Sequence, residues 1–371
     1  MEGEARGNPG LDPAIGRVPH ERPRQGRRST GTHDGGNGAD RGGATYAALD
    51  LGTNNCRLLV ARPTEDGFRV VDAFSRIIRL GEGLSASGVI SAAAIARAVD
   101  ALAICRDKMK NRGVTRARLI ATEACRSAQN GEEFRARVAA EVGLTLDIID
   151  RETEACLAAT GCTPLIDPQT DGVLLFDIGG GSSELVRLDR SPEDNGRGPP
   201  LPRIRGWISL PHGVVTLAER HGGERVTRDT YEAMVAEIAA LIAPFAAEHG
   251  GDIAGLHLLG TSGTVTTIAG VHLDLRRYDR SRVDGCWMSA DQISGVIDRL
   301  LAMDYQQRKD SPCIGPERAD LVLAGCAILE AIRRAFPVPR LRVADRGLRE
   351  GMLVQMMRDD RVWDSSGGVS P

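Results

Sequence analysis

The sequence predicts an α/β protein with two similar lobes that face each other across a cleft. The main observation is a pattern that occurs twice: a short apolar strand, an aspartate, a turn of small residues and a second apolar strand. In each half a long amphipathic helix follows, and then another apolar strand that ends in small hydroxyl residues. Two halves with the same order of elements indicate two lobes of one architecture. We predict an N-terminal lobe over residues 45–160 and a C-terminal lobe over residues 161–357.

The second half carries the clearest copy of this pattern. Residues 173–178 are apolar and partly β-branched, which is typical of a buried strand, and residues 183–188 alternate well enough to be the return strand. The turn between them and its exit contain Gly179, Gly180, Gly181, Ser182 and Ser183. Successive glycines allow backbone N–H groups to converge on a phosphate, because no Cβ blocks close approach or positive φ. Taken alone, the glycines fit a plain hairpin turn equally well.

The first half repeats the pattern over residues 46–60. Its first strand ends at Asp50, and placing Asp50 on Asp177 also places Gly52 on Gly179. The turn of this copy and the start of its return strand contain Gly52, Thr53, Asn54, Asn55 and Arg57. The repeat therefore predicts a turn of the same kind in each lobe, and the two turns would face each other across the cleft.

The rest of each half is also alike. Apolar residues at helical spacing predict long helices from Ser91 to Arg112 and from Thr227 to His249. Each precedes an apolar strand and a hydroxyl-rich turn, and the second such turn contains Gly260, Thr261, Ser262, Gly263 and Thr264. Backbone N–H groups at the start of the following helix would receive a phosphate. The turn is not a P-loop, because the Gly-Lys-Ser/Thr ending is absent.

Five motifs in this order resemble those of the exopolyphosphatase and guanosine pentaphosphate phosphatase family. They are residues 50–57 (DLGTNNCR), 121–126 (ATEACR), 177–184 (DIGGGSSE), 260–264 (GTSGT) and 347–351 (GLREG). The resemblance covers roughly residues 45–357. It implies two actin-like, ribonuclease-H-like lobes with a cleft between them. It also implies an enzyme that uses Mg²⁺ and water to remove a terminal phosphoryl group from inorganic polyphosphate or guanosine pentaphosphate.

The resemblance implies roles for individual residues. Glu154 takes the position of the catalytic base, and Arg126 matches an arginine that would point into the cleft. Asp50, Asp177 and Glu184 would hold Mg²⁺ directly or through water, because hard cations take carboxylate and phosphate oxygens. We predict that Asp177 is also a catalytic residue, together with Glu154 and Arg126.

The chain departs from the family pattern beside the predicted base. Arg151 stands where glycine is usual, and Thr153 replaces an acid. These changes leave open how strong a base Glu154 is and how tightly the site binds Mg²⁺. Three further arginines match family positions and would either line the cleft or brace the lobes: Arg318, Arg346 and Arg349.

The composition indicates which kinds of partner the protein binds and in which cell compartment it works. A net charge of −3 over 371 residues gives no general electrostatic case for nucleic acid binding. No apolar stretch approaches the ~18 residues that cross a bilayer, and the first residues lack the apolar core of a secretory signal. Eight cysteines without a Cys-x-x-Cys pair favour free thiols in a reducing compartment. We therefore expect a cytoplasmic protein that binds neither nucleic acid nor a membrane.

The two ends of the chain differ from the lobes. Residues 1–44 are rich in Gly, Pro and Arg and almost free of large apolar side chains, so we predict a disordered tail. We predict a flexible tail over residues 358–371. Longer relatives carry an additional C-terminal helical domain, and nothing in this sequence corresponds to it. The resemblance also implies a homodimer.

Two other functions are compatible with the sequence. An ATP-dependent small-molecule kinase would share the fold, and it would need an acceptor hydroxyl. A non-catalytic sensor of polyphosphate or of an alarmone would account for Arg151 and Thr153. The sequence does not decide between polyphosphate and guanosine pentaphosphate, and the preferred chain length is equally open.

Overall fold

The computed structural model describes residues 43–189, 198–251 and 253–364. Within these ranges, eleven strands form two mixed sheets. The strands are β1 (Tyr46–Leu51), β2 (Asn55–Thr64), β3 (Gly67–Ile77), β4 (Arg116–Ala121), β5 (Asp147–Ile148), β6 (Gly172–Ile178), β7 (Ser183–Asp189), β8 (Arg203–Leu210), β9 (Leu256–Thr261), β10 (Trp287–Ser289) and β11 (Arg340–Ala344). The helices are α1 (Leu84–Ser87), α2 (Ala92–Asn111), α3 (Glu123–Ser127), α4 (Gly131–Val142), α5 (Arg151–Cys162), α6 (Val214–His221), α7 (Arg228–His249), α8 (Ser262–His272), α9 (Arg280–Val283), α10 (Ala290–Ala302), α11 (Tyr305–Asp310), α12 (Val322–Ala335) and α13 (Leu348–Asp359).

The two sheets contain the same central arrangement. The first sheet has the order β3-β2-β1-β4-β5, and the second has the order β10-β11-β9-β6-β7-β8. In each sheet an antiparallel hairpin, β1–β2 or β6–β7, lies beside a parallel strand, β4 or β9. Parallel strands end at the same edge of a sheet, so the hairpin turn and the turn after the parallel strand lie side by side. The predicted α/β class and its duplication are confirmed.

The long helices α2 and α7 begin where the sequence predicts. The hydroxyl oxygens of Ser91 and Thr227 accept hydrogen bonds from the backbone N–H three residues further on, as N-caps do. Among the described residues, α7 is the one helix with the length and apolar composition of a membrane span. Its side chains Tyr231 and Met234 are buried in the core of the second lobe, which is where the apolar face of a core helix lies.

Helices α5 and α13 cross between the lobes. Side chains of α13 pack with Tyr46 and Leu59 on the first sheet, although α13 follows the second sheet in the chain. Side chains of α5 pack with Val173 of the second sheet, although α5 follows the first. A Cβ on Gly161 would lie 1.9 Å from the carbonyl oxygen of Gly347, so only glycine permits this close crossing. The predicted boundary at residue 160 therefore needs correction, because each of these helices packs on the sheet of the other half.

The C-terminal segment is packed further than the sequence predicts. The predicted flexible tail begins at residue 358, yet α13 continues to Asp359, and Trp363 is buried. The Trp363 indole Nε1 donates a hydrogen bond to the Thr64 carbonyl oxygen at 2.9 Å. Packing against the first lobe thus extends to the end of the described residues. The predicted disordered tail lies outside those residues, apart from residues 43 and 44.

All eight cysteines are free thiols, as the sequence predicts. Cys56 and Cys105 have their Sγ atoms 3.9 Å apart in the core of the first lobe. That distance is well beyond a disulfide bond of ~2.05 Å.

Candidate active site

Both hairpin turns line one cavity between the lobes. Its volume is about 530 Å³. Asp50 is the penultimate residue of β1 and Asp177 is the penultimate residue of β6, and the two predicted carboxylates share a single crevice. The geometry on which the predicted chemistry depends is therefore present.

The first hairpin turn brings opposite charges and free polar groups to this cavity. Asp50 and Arg57 are cross-strand partners, and the Gly52 N–H closes the turn on the Asn55 carbonyl oxygen at 2.9 Å. The amide oxygens of Asn54 and Asn55 are buried without a hydrogen-bond partner among the described residues. Arg57 lines the cavity, and its guanidinium donates no hydrogen bond to any residue that the structure describes. Buried polar groups without partners are uncommon, and here they lie where a polar ligand would satisfy them.

The second hairpin turn brings two acids. Asp177 and Glu184 are cross-strand partners, and the Gly179 N–H donates to the Ser182 carbonyl oxygen at 3.0 Å. The segment before α6 supports this turn, because the Val214 N–H donates to the Gly179 carbonyl oxygen at 2.9 Å. The turn is thus fixed from both sides before any ligand arrives.

The glycines of the second turn allow the two turns to touch. A Cβ on Gly180 would lie 2.9 Å from Thr53 Cβ, and a Cβ on Gly181 would lie 2.7 Å from Thr53 Oγ1. Neither glycine has a positive φ. Close approach therefore explains these glycines, and the positive φ that the sequence also allowed does not occur.

Four carboxylates of the cavity have raised pKa values. Burial raises the pKa of Asp177 to about 6, with Arg57 opposing the shift and Asp50 adding to it. Burial and then the charge of Asp177 raise the pKa of Glu184 to about 7. Burial also raises the pKa of Asp50, against the charge of Arg57. Burial and then the charge of Glu184 raise the pKa of Glu154. The acids therefore destabilise one another's charged forms, and a cation would relieve them.

The acids do not form a complete metal site by themselves. Within the described ranges, no group of three or more histidine, cysteine, aspartate or glutamate side chains is arranged to hold a metal ion. Mg²⁺ usually takes only one or two protein carboxylates and completes its shell with water and phosphate oxygens. Asp50, Asp177 and Glu184 fit that mode of binding if one or two of them contact the ion directly and the rest contact it through water.

Arginines surround the same cavity. Burial, reinforced by the charge of Arg57, lowers the pKa of both Arg318 and Arg349. Both line the cavity, and the Arg349 guanidinium donates no hydrogen bond to any described residue. Arg346 also lines the cavity, but its Nε lies 3.2 Å from Asp284 Oδ2, so it braces the wall. Arg57, Arg318 and Arg349 are guanidinium groups that repel one another, and a phosphate would satisfy all three.

Arg126 differs from its predicted orientation. It is not among the residues that line the cavity, because its guanidinium is held by the Ile149 carbonyl oxygen and by the carboxylates of Glu123 and Glu154, which line the cavity in its place. Its Nη1 donates to the Ile149 carbonyl oxygen at 2.6 Å, and its Nη2 donates to Glu123 Oε2 at 2.5 Å and to Glu154 Oε2 at 3.1 Å. Glu154 does line the cavity. Arg126 therefore contacts the predicted base from outside the cavity, and the prediction that it points into the cleft needs correction.

Part of the turn at residues 260–264 lines the cavity. Thr261, Ser262, Gly263 and Thr264 line it. Ser262, the first residue of α8, has a φ of 79°, and its Oγ donates to the Ile178 carbonyl oxygen. Such strained backbone at a site is a mark of function. Gly260 is not part of the lining, because a Cβ there would lie 2.5 Å from the Phe176 ring.

Ser183 also falls outside the lining. Its hydroxyl donates to the His212 carbonyl oxygen at 2.8 Å, on the side away from the cavity. The alternation of β7 explains this, because Ser183 and Glu184 point to opposite faces of the sheet.

Sequence reasoning missed several lining residues: Glu123, Tyr278, Arg280, Asp345 and Glu350. Glu123 and Glu350 lie within recognised motifs, so their positions could have been inferred. Tyr278 lies in the segment between α8 and α9, where no periodic pattern marks it.

The fold and the site together define a two-lobed α/β protein with a crevice between the lobes that is lined by carboxylates, arginines and glycine-containing turns. The family model described as the Ppx/GppA phosphatase family matches residues 59–360. This chain belongs to that family.

Individual relatives agree. The chain is 25% identical to a putative exopolyphosphatase of Haemophilus influenzae over 86% of this chain and 93% of that protein. It is 26% identical to a guanosine-5'-triphosphate,3'-diphosphate pyrophosphatase of Vibrio cholerae over 86% of this chain. The match spans 60% of the length of the Vibrio cholerae protein.

Solved structures confirm the actin-like fold. The family member of Aquifex aeolicus superposes with a TM-score of 0.70 and 27% identity, over 85% of this chain and 98% of that one. An exopolyphosphatase from Cytophaga hutchinsonii superposes with a TM-score of 0.77 and 23% identity, over 85% of this chain and 98% of that one, which supports the fold.

Proposed function

We propose that this protein hydrolyses the terminal phosphoanhydride of a polyphosphate chain, with inorganic polyphosphate as the main substrate and guanosine pentaphosphate as a second one. One observation carries the proposal. A single crevice contains a turn with two asparagines, a turn with three glycines, four carboxylates with raised pKa values and three arginines, none of which forms a salt bridge with a described carboxylate. Phosphate oxygens with a divalent cation would satisfy all of these groups together.

The arginines and the turns bind the terminal phosphate. Arg57, Arg318 and Arg349 provide charge-assisted hydrogen bonds to its oxygens, and the backbone N–H groups of both turns add further donors. Fixed donors of this kind stabilise the charge on the equatorial oxygens in the transition state. Because the two turns already touch, little reorganisation is needed when the phosphate binds.

Glu154 is the general base that orients and deprotonates the attacking water. Burial and then the charge of Glu184 raise its pKa, which strengthens it as a base, and it faces the cavity. Glu123 also faces the cavity, but burial is outweighed by hydrogen bonds from Arg151, Ser127 and Arg126, which lower its pKa. Two carboxylates in different environments thus have different roles. Arg126 holds the Glu154 carboxylate from behind.

Asp50, Asp177 and Glu184 are the residues that would hold Mg²⁺, directly or through water. When bound, the ion would neutralise charge on the phosphate oxygens. The remaining steps depend on the arginines, the turns and Glu154.

The experiment is phosphate release from polyphosphate with no acceptor present. We expect the wild type to release orthophosphate and Glu154→Gln to lose about 10²- to 10⁴-fold in kcat with KM preserved, because general-base help is worth that much. Glu152→Gln is the matched control, since Glu152 is exposed on the same helix. Unchanged turnover in Glu154→Gln would remove Glu154 from the mechanism.

The same assay separates the other functions. A kinase would release no phosphate without an acceptor, and a sensor would bind polyphosphate tightly without releasing phosphate. Release from polymers of several lengths, compared with release from guanosine pentaphosphate, ranks the substrates. A clear preference for the pentaphosphate would contradict the assignment of inorganic polyphosphate as the main substrate.

A further inference from the structure

A chain of ion pairs leads from the protein surface to the proposed base. Arg151 Nη2 donates to Glu123 Oε1 at 3.0 Å, and Arg151 Nε donates to Glu123 Oε2 at 3.3 Å. Arg126 contacts Glu123 Oε2 and also donates to Glu154 Oε2 at 3.1 Å. Arg151 therefore connects to Glu154 through Glu123 and Arg126 in turn.

Glu123 is the shared partner in this chain. Two arginines and the Ser127 hydroxyl donate to its carboxylate, and only 11% of its side chain is exposed. The side chains of Arg126 and Glu154 are 19% and 14% exposed, whereas that of Arg151 is 40% exposed. Interactions among the three inner groups are therefore little screened, and Arg151 contributes its charge from the edge.

The charges balance only when Arg151 is included. Arg126 lies between two carboxylates, Glu123 and Glu154, and one guanidinium cannot neutralise both. With Arg151 on Glu123, two cations face two anions. Without it, Glu123 would compete with Glu154 for Arg126.

Helix stability does not explain Arg151. It is the first residue of α5, where the helix dipole disfavours a cation by about 0.3–1 kcal/mol. Its side chain turns to Glu123 on α3, away from its own helix. Arg151 also lies three residues before Glu154 on the same helix.

We propose that Arg151 is a positioning residue for the hydrolysis: it shares the Glu123 carboxylate with Arg126, and by partly neutralising Glu123 it lets Arg126 also hold the Glu154 carboxylate toward the attacking water. The inference rests on the proposed function of Glu154. It predicts that Arg151 affects kcat, because the base acts in the chemical step, and leaves KM unchanged, because Arg151 does not line the cavity.

The test measures kcat and KM for phosphate release from polyphosphate in Arg151→Gln and Arg151→Lys. We expect Arg151→Gln to lower kcat by about 3- to 10-fold with KM within about 2-fold, since a partly exposed ion pair has a modest effect. Arg151→Lys keeps the charge and should retain at least about half of the wild-type kcat. Arg137→Gln is the control, because Arg137 forms an exposed pair with Glu141 on α4.

A double-mutant cycle tests the route through Glu123. In the Glu123→Gln background, Arg151→Gln should change kcat by less than about 1.5-fold, because the connecting carboxylate is gone. An equal loss of kcat in both backgrounds would overturn the route. An unchanged kcat in Arg151→Gln would overturn the whole inference while wild-type phosphate release still supports the proposed function. Absence of release in the wild type would instead overturn the proposed function.

Discussion

The two hairpins of this protein have the same backbone plan but different charge. In each, an aspartate is the penultimate residue of the first strand, and a backbone hydrogen bond of 2.9 or 3.0 Å closes the turn. The cross-strand partner of Asp50 is Arg57, whereas the partner of Asp177 is Glu184. A single position thus carries a cation in one lobe and an anion in the other.

This difference indicates a division of labour. The first hairpin is close to neutral, and the Arg57 guanidinium lines the cavity without donating a hydrogen bond to any described residue, so this hairpin suits a phosphate group. The second hairpin has two acids whose pKa values are about 6 and about 7, so it suits a cation. A bound phosphate and its counter-ion would thus be divided between the lobes.

Making the first hairpin like the second should have the largest effect. Arg57→Glu places a carboxylate where the phosphate binds, and we expect kcat/KM for polyphosphate to fall by about 10³-fold or more. Arg57→Lys retains a point charge and should lose much less. Steady-state phosphate release measures both variants. Equal losses in the two variants would show that the charge of Arg57 is not what matters.

Neutralising the second hairpin should have an intermediate effect on activity. Glu184→Gln keeps an oxygen acceptor for Ser209, so the fold is preserved, and we expect about a 10- to 100-fold loss of kcat/KM. The same change should raise the free energy of unfolding by roughly 1–3 kcal/mol in the absence of divalent cations, because a buried charge is removed. Denaturant titration at pH 8 measures this gain. A loss of stability would show that the Glu184 charge is already compensated.

Separating the two turns should have a smaller effect. Gly181→Ala places a Cβ 2.7 Å from Thr53 Oγ1, and we expect about a 10-fold loss of kcat/KM as the turns move apart. The clash should also lower the free energy of unfolding of Gly181→Ala. Adding Thr53→Ala removes Oγ1, the atom nearest to the new Cβ, and should recover part of that lost free energy. Gly295→Ala is the control, since a Cβ there meets no atom within 4 Å. No recovery in the double variant would count against contact between the turns.

The pH dependence of stability should show the smallest effect. The folded pKa values of Asp177 and Glu184 are raised from 3.8 to about 6 and from 4.5 to about 7. A raised acid contributes stability at low pH, and that stability is lost as the pH rises from about 4 through about 7. Wild-type Tm should therefore fall over this window by a few degrees relative to the double variant Asp177→Asn, Glu184→Gln. Parallel Tm profiles without divalent cations would contradict the raised pKa values.

The sequence predicts the hairpins well because each is a local feature. Strand, turn and return strand follow within about fifteen residues, and the apolar pattern specifies which residues pair. It does not predict that α13 returns to the first sheet, since nothing near Gly347 encodes a contact with Tyr46. Arg126 is a similar case. Its motif places it beside the cavity, but the direction of its guanidinium depends on Glu123 and Glu154, which lie on different helices.

The sequence by itself determined the two-lobed α/β plan, the pair of turns and the residues from which the site is built, because periodicity and glycine placement act over short stretches of chain. Only the tertiary structure decided which of those side chains enter the crevice: Arg318 and Arg349 line it, while Ser183, Gly260 and Arg126 do not. Side-chain direction and pKa depend on burial and on charged neighbours that are distant in the chain. Those neighbours become defined only when the lobes and the crossing helices pack.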